Sequence, residues 1–476
     1  MKAALFLSVL CSAFVSAAER MNVLLIISDD MRTELGCYAS TLAKTPNIDK
    51  LATTGVRFGR AYCQFPLCNP SRASMLTGRH PGTTGVLGNR TWFGDLHPDF
   101  VSLPKYFKNN GYTSVRVGKI FHGGIDDTDA WSVDGQTRTL AGAPKGVSIK
   151  KQSDPGPGEV EPGDRDRKSD QWIVLKGDGS SHGDSKVADR TIKYLNENKD
   201  RPFFIGCGFV KPHSPPEAPQ RFYDMWDVSK IPLPPDFAAR PAVPDGFPAG
   251  SIRPKNSDLF IGRDASPDEA RQMIRAYLAS SSFMDWNVGR VIAELDRLGL
   301  SEKTIVVFWG DHGYQLGEKG KWSKAGSLWE QGTRTPLLIC DPREKTAGKT
   351  CPRVVQMIDL YPTLAELCGL DKPPGLEGLS LAGLLSNPEA PWDHPAYTVW
   401  SEDGKHFTGV MVRTEEWRYA EFYGRGAGAM LLKPAADPHE LTNLANEPKY
   451  ADVVAKLAPL VKAYADGHTP PAGKSE

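Results

Sequence analysis

Three separated runs constrain this chain more than any other feature: residues 21–27 (MNVLLII), 202–210 (PFFIGCGFV) and 304–309 (TIVVFW). Each has strand length and is apolar almost throughout, with no alternation of polar and apolar positions. Strands of that kind are buried on both faces, as in a parallel sheet covered by helices on both sides. Residues 113–117 and 56–62 read as further strands. The runs break off into residues that can do chemistry. Ser28-Asp29-Asp30 follows the first, Lys211-Pro212-His213 the second and Gly310-Asp311-His312 the third, while Lys119 and His122 follow Val117. In an open α/β sheet, ligands bind in the crevice beyond the carboxyl ends of the strands.

Helical signals lie between these strands. Residues 45–52 and 102–110 read as short helices, closed by Gly55 and Gly111. Val187, Ile192 and Leu195 give 185–198 a helical period. Ser266-Pro267-Asp268-Glu269 is a capping box that opens a long helix to about Arg297. Residues 355–368 also read as a helix. Residues 231–264 are Pro-rich and irregular, and 141–170 read as a long loop. Beyond Pro391 the style changes to short strands at 397–400, 408–413 and 417–422 and a last helix at 450–464. A chain of 476 residues exceeds one ordinary domain. The expected division is a main unit over 18–390 and a small α+β unit over 391–476.

Cys68-Asn69-Pro70-Ser71-Arg72-Ala73-Ser74-Met75-Leu76-Thr77-Gly78-Arg79 is the most specific string. Asn69 suits an N-cap and Pro70 the first helical position. Cys68 would then stand at the positive mouth of a helix with Arg72 close by, a setting that acidifies a thiol. The string alone also fits a half-buried cysteine before an ordinary helix. Asp29 and Asp30 fit either a cation site, since adjacent acids repel without one, or a solvated turn. Lys119 and His122 alone fit a surface lysine and a packed histidine. His213, held between Pro212 and Pro215, sits in a stiff backbone that suits a positioned group. Asp311 and His312 can complete a metal site, although calcium prefers oxygen to imidazole.

The string 68–79 resembles the sulfatase signature, Cys-x-Pro-Ser-Arg followed by Leu-Thr-Gly-Arg, with every signature position kept. The resemblance extends to Asp29-Asp30, to Pro46-Asn47-Ile48-Asp49-Lys50-Leu51-Ala52, to Lys119 with His122 three residues on, and to Asp437–Ala445 near the end. Lys211-Pro212-His213 and the His312 position resemble the iduronate-2-sulfatase group, since many other sulfatases carry Asn at the latter. The resemblance implies an alkaline-phosphatase-like α/β sandwich, with a central, mostly parallel sheet and a small C-terminal α+β subdomain. It implies sulfate-ester hydrolysis, with Cys68 oxidised to formylglycine by a maturation enzyme and one calcium ion held by Asp29, Asp30, Asp311, His312 and residue 68. Hydrated formylglycine would attack sulfur, and His122 would then help the sulfated gem-diol collapse back to aldehyde. Arg72, Lys119 and Lys324 would neutralise sulfate oxygens. His213 and Lys324 would face the leaving group, with His213 as general acid. Lys324 is preferred to Lys319 and Lys321 only because its spacing from Asp311 matches the subgroup.

Bulk properties set the remaining expectations. Lys+Arg and Asp+Glu are both 57, so no global basic field holds a nucleic acid or other polyanion. Residues 1–17 (MKAALFLSVLCSAFVSA) read as a secretory signal cleaved near Ala17, implying a periplasmic or extracellular protein, and no later run is apolar enough to span a membrane. Export permits disulfides, and Cys340 with Cys351 is the favoured pair. The implied substrate is a sulfated sugar or polysaccharide. Residues 82–100, with Gly85, Gly88, Arg90 and Trp92, depart from the iduronate-2-sulfatase pattern and leave the sugar open, a marine algal glycan included. Two other functions stay open at this level: a phosphomonoester or phosphodiester hydrolase of the same fold, and a secreted glycan-binding protein that never matures.

Overall fold

The computed structural model describes residues 20–136, 138 and 171–469. The expected signal at 1–17 and the loop at 141–170 lie outside the described residues. The strands in chain order are β1 (Asn22–Asp29), β2 (Val56–Tyr62), β3 (Thr113–Gly118), β4 (Ile173–Leu175), β5 (Phe203–Pro212), β6 (Glu217–Pro219), β7 (Thr304–Gly310), β8 (Arg334–Cys340), β9 (Thr350–Gln356), β10 (Ala396–Trp400), β11 (Gly409–Arg413), β12 (Arg418–Phe422) and β13 (Gly428–Leu432).

Seven of them make the central sheet, in the order β3-β5-β1-β7-β8-β2-β9. β3, β5, β1 and β7 are neighbours and all parallel, so their carboxyl ends lie side by side. β8 runs antiparallel to both β7 and β2, and β2 pairs parallel with β9. Every residue of β1 and of β7 is buried. Alternate residues of β1 serve opposite faces, as strand geometry requires. Val23, Leu25 and Ile27 pack in one core with Met75 and Leu76 of the helix Cys68–Thr77, Leu103 and Phe107 of the helix Leu103–Asn109, and Leu364 of the helix Leu360–Leu367. Leu24 and Ile26 pack in the other core, with Ile48 of the helix Pro46–Ala52, Val187 and Leu195 of the helix Gly183–Asn198, and Val288 and Val291 of the long helix Pro267–Arg297. This is the expected helix–sheet–helix sandwich. Both halves of the Ser266–Glu269 capping box form at the start of the long helix.

β10–β13 form a separate four-stranded antiparallel sheet. The helix Ala451–Gly467 lies on it and contributes Leu457, Val461 and Tyr464 to their shared core. Among the described residues, no helix is long and apolar enough to cross a membrane.

Several expectations are corrected. Residues 355–368 do not form one helix. Val354 and Val355 pair with Arg60 and Ala61 of β2, so 350–356 is a strand, and the helix begins only at Leu360 after a short turn. β8 and β13 were not expected at all. Pro336 hides β8, because proline argues against an internal strand. It is tolerated here beside the register shift of β2 between Phe58 and Ala61. Cys340 and Cys351 are free, because β2 lies between β8 and β9 and holds the two cysteines apart.

The carboxyl ends of β3 and β5 approach closely at two glycines. A Cβ on Gly208 would stand 2.1 Å from the Lys119 carbonyl oxygen. Gly118 has φ +72°, and a Cβ there would stand 2.1 Å from the Gly208 carbonyl oxygen. No neighbouring backbone can yield that much. We expect Gly208→Ala to destabilise the chain by about 1–3 kcal/mol in denaturant unfolding, and to lower turnover of the folded fraction by displacing Lys119. A change within 0.3 kcal/mol, of the order of ordinary surface substitutions, would show that the approach is loose.

Candidate active site

The helix Cys68–Thr77 brings its first turn to the carboxyl ends of the central strands. All ten of its residues are buried. Leu67, not Asn69, occupies its N-cap position, and no side chain caps it. The expected Asn69 cap is therefore absent, because its amide is used elsewhere. Asn69 Nδ2 donates to the carbonyls of Gly88 (2.9 Å) and Thr91 (2.7 Å), and its backbone N–H donates to Asn89 Oδ1 (3.1 Å). Gly78 closes the helix at φ +63°, and Arg79 N–H then reaches the Ser74 carbonyl (3.1 Å), so the Thr-Gly-Arg end of the string is a helix stop.

Ser71 and Arg72 tie this helix to the sheet. Ser71 Oγ donates to the Asp311 carbonyl. Arg72 Nε donates to Asp311 Oδ2 (2.9 Å), and Nη1 donates to the carbonyls of Lys119 (2.5 Å) and Ile120 (3.0 Å). Nη2 lies 3.6 Å from Asp29 Oδ1 and makes no hydrogen bond among the described residues. Arg72 is fully buried, and Cys68 lies one helical turn before it on the same face.

Cys68 Sγ is the centre of the cluster. Asp29 Oδ1 and His312 Nε2 each lie 3.4 Å from it. His213 offers a ring nitrogen within 4.8 Å of it, and His122 is a further electrostatic neighbour, so three imidazoles gather around one sulfur. His312 Nδ1 donates to the Gly313 carbonyl (2.9 Å) and His213 Nδ1 to the Ser214 carbonyl (2.7 Å), which turns both Nε2 atoms inward. His213 Nε2 lies 4.0 Å from Asp30 Oδ2. Lys119 pairs with Asp29, and Lys324 Nζ lies 2.9 Å from Asp30 Oδ1. All ten site residues named from the sequence thus meet in one place.

The electrostatics follow from burial. Burial raises the Cys68 thiol and Asp29 raises it further, but Lys119, Lys324 and His312 outweigh both and hold it well below its usual range. Burial and then Asp29 push Asp311 up to about 7. Burial opposes the charge on His312, yet Asp311 and Cys68 push it up to about 10. Burial likewise opposes the charge on His213, and Asp30 outweighs it, so the balance is upward. For His122 burial prevails, and its ring is held neutral more readily than usual.

Protons retained on an acid and an imidazole in one dry cluster mark a place where a cation can replace them. Asp29, Cys68, Asp311 and His312 offer ligand atoms within 4.8 Å of one another. Asp30 falls instead into a tight group with Cys68 and His213, while its Oδ1 still lies 3.6 Å from His312 Nε2. The donor set, three carboxylates and one imidazole, fits a hard divalent ion apart from the imidazole.

Sequence reasoning missed Asp258. Its Oδ2 lies 3.3 Å from Lys324 Nζ, so Lys324 is clamped between Asp258 and Asp30. Asp258 belongs to the Pro-rich stretch, where no periodicity marks any residue. Lys319 is engaged by Asp236 (2.7 Å) and Lys321 by the carbonyls of Arg253 and Lys255, which leaves Lys324 as the lysine of this segment facing the cluster.

We expect Asp311→Asn to remove calcium binding at this cluster. Calcium added to chelator-treated protein should raise Tm in the parent and leave it unchanged in the variant. An equal rise in both would take Asp311 out of the cation site.

Comparison with known proteins agrees with this geometry. The family model described as Sulfatase matches residues 21–370, and one described as N-sulphoglucosamine sulphohydrolase, C-terminal, matches 317–466. A protein named Sulfatase from Formosa agariphila is 31% identical over 454 residues, covering 93% of this chain and 86% of the relative. Human iduronate 2-sulfatase is 33% identical over 406 residues, covering 75% of this chain and 71% of the relative. The solved phosphonate monoester hydrolase of Agrobacterium radiobacter superposes with a TM-score of 0.75 at 24% identity, covering 94% and 96% of the two chains, and shares the fold. The chain belongs to the sulfatase family and is a sulfuric ester hydrolase of alkaline-phosphatase-like fold.

Proposed function

We propose that this chain hydrolyses sulfate esters on a sulfated sugar or polysaccharide with an iduronate-2-sulfatase-like site, using formylglycine at position 68 and one calcium ion. The observation that carries the reading is the convergence on Cys68 of His122, His213, His312, Lys119 and Lys324. The Lys-Pro-His string and the His312 position support the subgroup, as does the identity to human iduronate 2-sulfatase. Residues 18–390 form the catalytic unit and 391–476 the smaller one. Removal of 1–17 takes the protein to the periplasm or beyond, and a separate enzyme matures Cys68.

The residues divide the work by position. Asp29, Asp30, Asp311, His312 and residue 68 hold the calcium ion. Bound there, calcium and the hydrated aldehyde supply charge neutralisation for a sulfate oxygen and a nucleophilic hydroxyl. Arg72, whose Nη2 pairs with Asp29 only at 3.6 Å and donates no hydrogen bond among the described residues, and Lys119 hold residue 68 and the sulfate-side charge in a buried setting, where such interactions are strong. His122 takes a proton at position 68. Lys324 faces the leaving-group side from its clamp, and His213 Nε2 carries the proton the departing alkoxide needs.

Two measurements test this. Mass spectrometry of the peptide containing residue 68, from protein co-expressed with a maturation enzyme, should show the change from thiol to aldehyde. Sulfate release should disappear in Cys68→Ala, and a folded Cys68→Ala retaining turnover would end the formylglycine reading. Screening defined sulfated oligosaccharides beside an aryl phosphonate then identifies the ester.

The role of His213 makes a sharper forecast. A sugar alkoxide is a poor leaving group without protonation, whereas an activated phenolate hardly needs it. His213→Ala should therefore lower kcat/KM on a sulfated sugar by about 10²–10⁴-fold, and far less on an activated aryl sulfate. His122→Ala should slow both substrates. Equal losses for His213→Ala on the two esters would reduce it to a substrate contact.

A further inference from the structure

A second group of metal-competent side chains lies outside the catalytic cluster. His80, directly after the signature string, Glu377 and His468 offer ligand atoms that all lie within 4.8 Å of one another. His468 Nε2 is 3.8 Å from Glu377 Oε1. The rings of His80 and His468 meet edge to face, with centroids 4.8 Å apart. These residues come from distant parts of the chain and are brought together by tight packing. A Cβ on Gly82 would stand 1.7 Å from the His468 carbonyl oxygen, so only glycine lets the end of the helix Ala451–Gly467 approach the turn after His80.

The hydrogen-bond pattern leaves this group incomplete. Glu377 is oriented by the His80 backbone N–H (2.5 Å to Oε2) and by Thr83 Oγ1 (2.7 Å to Oε1). His468 Nδ1 is occupied by the Tyr464 carbonyl (3.0 Å), which leaves Nε2 turned toward Glu377. His80 is only 6% exposed, yet its Nδ1 has no hydrogen-bond partner among the described residues. The hydroxyl of Tyr464, 4% exposed and stacked on His468 with centroids 4.3 Å apart, has none either. Buried polar atoms are almost always paired, and two orphans beside one carboxylate call for a missing partner.

We propose that His80, Glu377 and His468 bind a divalent transition-metal ion of the zinc class, which clips the C-terminal helix to the end of the signature helix. Two imidazoles and one carboxylate are a ligand set suited to zinc, with a fourth position open beside the Tyr464 hydroxyl. Each ligand carries its own orienting hydrogen bond or packing, as metal sites require. The ion fastens two elements, one of which carries the nucleophile, and takes no part in the reaction.

The test uses the full chain, stripped with chelator and given zinc alone. A Cys68→Ala/Asp311→Asn background, which takes the thiol and one carboxylate out of the catalytic cluster, separates this site from it. That protein should retain about one zinc per chain after dialysis, by elemental analysis, and show a Tm rise of roughly 5 °C at zinc well above Kd. His468→Ala in the same background should lose both the zinc and the Tm rise. Its helix should remain folded by circular dichroism, since His468 lies just past its last residue. Cobalt gives an independent readout, because an ordered low-coordinate site produces visible absorption that His468→Ala would abolish. Equal zinc content and equal Tm response with and without His468 would overturn the proposal, as would no retained zinc in either.

Discussion

One buried guanidinium holds the site together. Arg72 reaches Asp311 beyond β7, Asp29 at the end of β1, and the carbonyls of Lys119 and Ile120 beyond β3. A single planar fork therefore fixes three strand ends against one helix. Lysine could not replace it, since one ammonium cannot reach along three directions. Cys68 sits one turn earlier on that helix, so its position over the strand ends follows from where Arg72 is tied. Ser71 adds a second tie to the Asp311 carbonyl. The signature residues around the nucleophile are thus as much structural ties as chemical groups.

The charges gathered there are balanced before any substrate arrives. Asp29, Asp30 and Asp311 face Arg72, Lys119 and Lys324, all buried except the half-buried Lys119. Isolated charges in such a place are very costly, and pairing makes them tolerable. A sulfate ester brings a further negative charge. Burial opposes a charge on His312 and His213, yet the neighbouring carboxylates shift both upward, so the cluster favours added positive charge. A hard cation among the carboxylates would supply that charge without titrating.

The sheet was legible because its site-bearing strands are buried on both faces, and burial of that kind leaves continuous apolar runs. The same runs ended in the residues that make the site, so their meeting followed from parallel order alone. What escaped lies where the pattern was broken by local compensation. β8 carries Pro336 beside a bulge in its neighbour, and β9 reads like the start of the helix that follows it. Asp258 was invisible because an irregular stretch has no period, and only its distance to Lys324 reveals it. The expected disulfide failed on topology: sequence gave the loop between Cys340 and Cys351 but not the strand lying between them.

Asn69 shows why the reaction was easier to read than the substrate. The position after Cys68 is free in the signature pattern. Here its amide fastens the carbonyls of Gly88 and Thr91, and its backbone N–H is held by Asn89. The segment carrying Arg90 and Trp92 is therefore built directly onto the residue beside the nucleophile. Arg90 is exposed, while Trp92 is braced by Arg138, whose guanidinium lies 3.5 Å from the ring centroid. Trp92 packs against the core on one face of the sheet while Arg90 faces solvent, and nothing in the charge balance of the cluster dictates either. Chemistry common to a family is fixed by buried ties such as Arg72, whereas the segment from Gly88 to Trp92 hangs from a position the signature leaves free.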